Sequence, residues 1–172
     1  MTEAKFTRSL KEAIFKRLEF RLRKSGLVVG LDNIRDLPPQ FARWRGRPDI
    51  WIAHDTDPHI MIVELEHHSG SEQAIENYRQ AFEWCLRGQS RGTKGRVSFL
   101  HIIADDSDIS PTVYNDLMSL ETDRPRSGFL YRLVPYRPVA GDNRRSIDTA
   151  EAILKHRVFQ DSFADLAAHA WG

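Results

Sequence analysis

Arg47-Pro48-Asp49-Ile50-Trp51-Ile52, a short polar turn, and then Ile60-Met61-Ile62-Val63-Glu64-Leu65-Glu66-His67-His68 is the stretch whose reading decides the fold. Both runs are rich in Ile, Val and Trp and are about strand length. Asp55-Thr56-Asp57-Pro58 between them has turn chemistry, so the whole reads as a β-hairpin. Asp49, Glu64 and Glu66 are carboxylates set in otherwise apolar strands. Ionised groups in that setting are costly unless they are paired or hold a metal, so they need a reason to be there.

Whether they meet depends on register. A loop of two residues centred on Thr56-Asp57, or of four from Asp55 to Pro58, places Asp49 opposite Glu64, with both carboxylates on one face. Glu66 lies two residues beyond Glu64 and points to that face too, roughly 6.5 to 7 Å along the strand. A three-residue loop would instead set Asp49 opposite Leu65 and turn it to the other side, because a slip of one residue inverts a strand.

Composition bounds the rest. A chain of 172 residues with 28% charged and 41% hydrophobic residues suits one domain with a sizeable core, without disorder or repeats. The amino terminus alternates charged and apolar residues, and no run approaches membrane-spanning length, so the expected location is the cytoplasm. With Cys85 as the single cysteine there is no internal disulfide and no cysteine-rich zinc module. A net charge of +1 carries no global nucleic-acid signature, so any such surface must be local.

The periodicities give an order of elements. Residues 5–24 form a helix with Phe6, Leu10, Ile14, Leu18 and Leu22 on one side, ended by Gly26. Leu27 to Leu31 is a short strand, and the hairpin follows. Ser69 and Glu72 have capping-box spacing before a helix that buries Ile75, Tyr78, Phe82 and Cys85 or Leu86 and closes at Gly88. Val97 to Ala104 is a continuous apolar strand, which asks for cover on both faces. Pro111 opens a helix, residues 128–136 form a strand, and one last helix runs from Asp148 to about Ala170, with Ile153, Leu154, Val158, Phe159, Phe163 and Leu166 as its apolar face. The order helix, three strands, helix, strand, helix, strand, helix predicts a single α/β domain with a central mixed β-sheet flanked by helices.

That order, with Pro48-Asp49 on the second strand and Glu64-Leu65-Glu66 on the third, resembles the restriction-endonuclease-like superfamily of PD-(D/E)xK phosphodiesterases. The resemblance spans residues 5–104 as the nuclease-like core and leaves 105–172 as family-specific decoration. It implies a metal-dependent nuclease, acting on DNA by metal-activated water, with Mg²⁺ or Mn²⁺ held by Asp49 and Glu64. The third motif position, usually Lys, is Glu66 here, as in a minority of restriction enzymes. Glu66 is then a third metal ligand or a base that orients water. Folds of this kind that have lost activity also depart at this position, so the alternative is a non-catalytic module binding nucleic acid or a partner protein. The resemblance also implies a homodimer, since nuclease domains of this size often use two copies to cut two strands.

Hard oxygen ligands suit such cations, which polarise a phosphodiester and acidify a bound water. The structural explanation of the same acids is pairing with Arg47 or Arg79. Arg43, Trp44, Arg45 and Arg47 precede Asp49 and suit phosphate contacts with a stacking ring, although a solvated basic turn fits them equally. Arg91 and Lys94 lie in a basic glycine loop that lacks Walker spacing and follows a helix, so nucleic-acid contact suits it better than nucleotide cradling. Accessory candidates are Glu12 and Glu19 on the first helix, His67 after the motif, and Gln73. Glu12 and Glu19 lie opposite the apolar stripe, and neighbouring His67 and His68 face opposite ways on a strand. Some nuclease branches carry Gln and Tyr four residues apart on the following helix. Gln73 is followed at that spacing by Asn77, with Tyr78 one residue further, where core packing is its expected role.

Overall fold

The computed structural model describes residues 3–32, 48–66, 71–90, 95–105, 111–141 and 143–172. In chain order they form α1 (Glu3–Leu22), β1 (Leu27–Leu31), β2 (Ile50–His54), β3 (Ile60–Glu66), α2 (Ser71–Ser90), β4 (Val97–Ala104), α3 (Pro111–Ser119), β5 (Phe129–Tyr136), α4 (Arg145–Lys155) and α5 (Arg157–Trp171). The strands lie in the order β1-β2-β3-β4-β5 in one mixed sheet. β1, β2 and β3 pair antiparallel, while β3 with β4 and β4 with β5 pair parallel. The change of sense falls at β3 because α2 and α3 are crossover helices, and a parallel pair needs such a connection where a hairpin suffices for an antiparallel one.

Two-residue alternation in the strands divides the core into two faces. Ile50, Ile52, Met61, Val63, Leu100 and Ile102 pack with Phe6, Leu10, Ile14 and Leu18 of α1 and with Ile153, Phe159 and Leu166 of α4 and α5. On the other side Trp51, Ile60, Ile62, Phe99 and Tyr131 pack with Ala74, Tyr78, Ala81 and Cys85 of α2 and with Val113 and Leu117 of α3. Every residue of β4 is buried, as expected for a strand covered on both faces. Gly26 has φ +80°, a left-handed turn that lets α1 stop and β1 begin. Residues 129–171 supply the fifth strand, α5 packed on the sheet and α4 packed against α1 and α5.

Three expectations are corrected. The last helix is two: at His156 the backbone turns extended, with φ −69° and ψ 137°, and its imidazole accepts from the Val158 N–H to cap a new helix. Helical periodicity continues across the break because both helices bury a face in the same core layer, α5 against the sheet and α4 against α1. The second helix passes Gly88 and ends at Ser90, with Leu86 exposed at its outer side. Val158 is also exposed, while Phe159 beside it is buried. Tyr78 and Cys85 are core residues as expected, and burial pushes the Cys85 thiol up to about 11. No described helix is long and apolar enough to cross a membrane.

Candidate metal centre

The hairpin register is the one that unites the acids. β2 pairs with β3 as Ile50↔Val63, Trp51↔Ile62, Ile52↔Met61 and Ala53↔Ile60, which continues one step to Asp49 opposite Glu64. The turn is stabilised by His59 N–H donating to Asp57 Oδ1 at 3.0 Å and by the Thr56 hydroxyl lying 2.8 Å from His54 Nδ1. On the β1 side the ladder extends too, with Asp32 N–H donating to the Asp49 carbonyl at 3.0 Å. On the β3 side the Asp49 side chain takes over: Oδ2 accepts from Leu65 N–H at 2.8 Å. Asp49 is thus fixed at the end of β2 by backbone on one side and carboxylate on the other.

Glu64 and Glu66 follow Ile60 and Ile62 on the α2 face of β3, and both are buried. Glu64 shares a hydrogen bond with Asp49. Its carboxyl is pushed well above the usual carboxylate range, first by burial, then by the Asp49 charge, that hydrogen bond and the Glu66 charge, with Lys11 opposing. Two carboxylates in a desolvated site favour one shared proton, because neither water nor a full set of cations compensates two negative charges. The cation that is present is Lys11 of α1, whose Nζ lies 2.6 Å from Asp49 Oδ1.

Glu66 has different partners. Its Oε1 accepts from Asn77 Nδ2 at 2.6 Å and lies 3.3 Å from His101 Nε2. Asn77 is on α2, and Gln73 Nε2 donates to its Oδ1 at 2.9 Å. His101, wholly buried on β4, has its Nδ1 2.9 Å from the Tyr131 hydroxyl of β5. Among the described residues no group of three His, Cys, Asp or Glu side chains has metal-holding geometry. The arrangement is a carboxylate pair, Asp49 and Glu64, with a separately anchored third acid. Mg²⁺ is commonly held by one or two carboxylates, with substrate phosphate and water completing its shell, so this oxygen pair fits such a cation.

The other candidates fall into three groups. Gln73 joins the site through Asn77. Glu12 is exposed and lines a groove between α1 and α4 with Ser9, Lys16 and Arg17. Glu19 is eight residues, about 12 Å of helix axis, from Lys11, the α1 side chain seen at Asp49. Arg79 pairs with Glu76 and Glu83 on its own helix. Arg43, Trp44, Arg45, Arg47, His67, Arg91 and Lys94 lie outside the described residues.

Lys11, His101 and Tyr131 are additions that the sequence reading missed. His101 had a signal: it is a polar residue inside the apolar run Val97 to Ala104, the same anomaly that drew notice to the acids. Lys11 had none, being one of many cations on an amphipathic helix.

Fold and site together define a layered α/β domain with a carboxylate pair, Glu64 buried and Asp49 part-buried, where its mixed sheet changes sense. No family model matches the chain, and no curated protein sequence matches it.

Proposed function

We propose that this domain is a metal-dependent phosphodiesterase of the restriction-endonuclease-like kind, a nuclease cutting DNA in the cytoplasm as a homodimer. The observation that carries the reading is the pair of buried Glu64 and part-buried Asp49, set in register across β2 and β3. Asp49 and Glu64 would hold Mg²⁺ or Mn²⁺. Such an ion, when bound, polarises a phosphodiester and generates a nucleophile from water at neutral pH. The chain's own residues prepare the place: Leu65 N–H orients Asp49, burial excludes competing water from Glu64, and Glu66 presents a further acceptor for orienting the attacking water. Lys11 neutralises Asp49 when no metal is bound.

A second reading, a nuclease-fold module that binds nucleic acid or a partner without cutting, draws on the same contacts. Lys11 satisfies Asp49, while Asn77 and His101 satisfy Glu66, so the site is partly compensated from within. Cleavage of supercoiled plasmid and single-stranded DNA with Mg²⁺, Mn²⁺ or EDTA separates the two. The nuclease reading expects metal-dependent cutting that is lost in both Asp49→Asn and Glu64→Gln. Absence of wild-type cutting on either substrate favours the binding module.

A further inference from the structure

We infer that Asn77, His101 and Tyr131 are positioning residues that hold the Glu66 carboxylate in one orientation beside the Asp49 and Glu64 pair. This assignment rests on the metal-site reading above. Two chains of donors converge on a single oxygen. From α2, Gln73 Nε2 donates to Asn77 Oδ1 and Asn77 Nδ2 donates to Glu66 Oε1, at 2.9 and 2.6 Å. From β5 and β4, the Tyr131 hydroxyl meets His101 Nδ1 and His101 Nε2 meets the same Oε1, at 2.9 and 3.3 Å.

The direction of the second chain follows from its end. A carboxylate only accepts, so a neutral His101 ring carries its proton on Nε2, and its Nδ1 then takes the hydrogen of the Tyr131 hydroxyl. In a buried setting such aligned donors reinforce one another. His101 is 0% exposed and Tyr131 1%, so water does not compete for either contact. A histidine retained only for packing needs partners for its two nitrogens. It does not need a second, independent donor from another layer of the fold aimed at the same oxygen.

The clasp matters because of what Glu66 would otherwise do. Its terminal torsion is broad and nearly unconstrained by rotamer preference. A group that orients water at a divalent cation must be held to a fraction of an ångström, and partners of this kind are what hold it. The contact also tells Glu66 apart from Glu64. Glu64 meets another carboxyl, whereas Glu66 meets an amide and an imidazole that donate.

The test is calorimetric titration of the full chain with Mn²⁺ alone, comparing wild type with His101→Leu, His101→Gln and Asn77→Ala. Removing either donor is expected to weaken Mn²⁺ binding about 10-fold, while His101→Gln, which returns an N–H donor, recovers most of it. Asn77 is only half-buried, so Asn77→Ala keeps the test open if His101→Leu does not fold. Wild-type Mn²⁺ affinity in folded variants, shown by an unchanged cooperative melt, overturns the positioning role and leaves the metal reading standing. No Mn²⁺ uptake by wild type overturns both. Imidazole ¹⁵N shifts give a separate check, with the proton expected on Nε2 in wild type and the single-tautomer signature lost in Tyr131→Phe. A proton fixed on Nδ1 instead overturns the proposed chain.

Discussion

Lys11 Nζ lies 2.6 Å from Asp49 Oδ1, so a cation reaches this carboxylate site from the first helix. Both side chains are largely shielded, with 27% and 14% of their surface exposed. The ammonium occupies an oxygen that a metal would also use, so the two compete for Asp49. Lys11→Met is expected to lower metal-free stability by about 1–3 kcal/mol, since Asp49 is left beside Glu64 without its counter-charge. The same variant should bind Mn²⁺ more tightly than wild type. Urea melts in EDTA and a Mn²⁺ titration check the two halves; weaker Mn²⁺ binding in Lys11→Met would show that the lysine assists the site rather than competing for it.

Glu64→Gln should separate stability from function. In the metal-free folded chain, burial and Asp49 hold the Glu64 carboxyl well above its ordinary range, whereas in the unfolded chain it ionises normally. The folded state therefore binds a proton that the unfolded state has released. Stability falls as pH rises from the ordinary carboxylate range up through the raised value, and is flat beyond it. Gln cannot ionise, so the variant loses this slope and is expected to be more stable than wild type at pH about 8 in EDTA. It should gain little when Mn²⁺ is added, while wild type melts at a higher temperature. A variant less stable than wild type at that pH would indicate that Glu64 is a compensated core residue.

The hairpin and its register were legible because strand alternation and turn chemistry act locally. Asp49 lies 15 residues from Glu64 in sequence, yet one short turn fixes their meeting. The Lys11 contact was not legible, because it joins a helix to a strand end 38 residues away, and only packing of α1 on the sheet selects one lysine among several. Asn77 was noticed for its spacing from Gln73, but the target of that pair depends on how α2 crosses β3. The break at His156 was hidden by apolar residues that continue in phase on either side. The pairing of Arg79 with its own helix was overlooked in favour of the acids, although glutamates three residues before it and four after it are natural helical partners.

Gly30 is predicted to tolerate no side chain. It stands opposite Trp51 in the β1 and β2 ladder, and the indole lies across it. A Cβ at Gly30 would fall 2.0 Å from Trp51 Cε2 and 2.2 Å from Cζ2, so the ring would have to move within a packed face. Gly30→Ala should cost about 1–3 kcal/mol by overpacking, more if the strand separates. Because Trp51 is two residues from Asp49 on the same face, the loss should appear both in thermal melts and as weaker Mn²⁺ binding. An unchanged melting temperature would mean that the indole finds another rotamer without cost.

Histidines at the opposite end of the parallel strands should make stability depend on pH near neutrality. His169 is half-buried, with Nε2 3.0 Å from the Gly128 carbonyl, and burial lowers its pKa below the ordinary 6.5 despite that hydrogen bond, with Arg96 and His59 adding to the lowering. His59 is lowered in the same direction, by burial and then by Arg96, and its Nδ1 accepts from Arg96 N–H at 2.9 Å. The unfolded chain takes up these protons near the ordinary value, and the folded chain only at lower pH. Stability is therefore full above the ordinary histidine value, falls as pH drops through it, and levels once the lowered folded values are passed. Urea midpoints measured between about pH 7.5 and 5.5 should show this decline as the difference between wild type and His169→Gln, in which the opposing slope of the raised Glu64 carboxyl cancels. His169→Gln should make the decline shallower while leaving the fold intact at the upper pH, because the amide can still donate to Gly128. A slope equal to that of wild type would place the pH dependence elsewhere in the molecule.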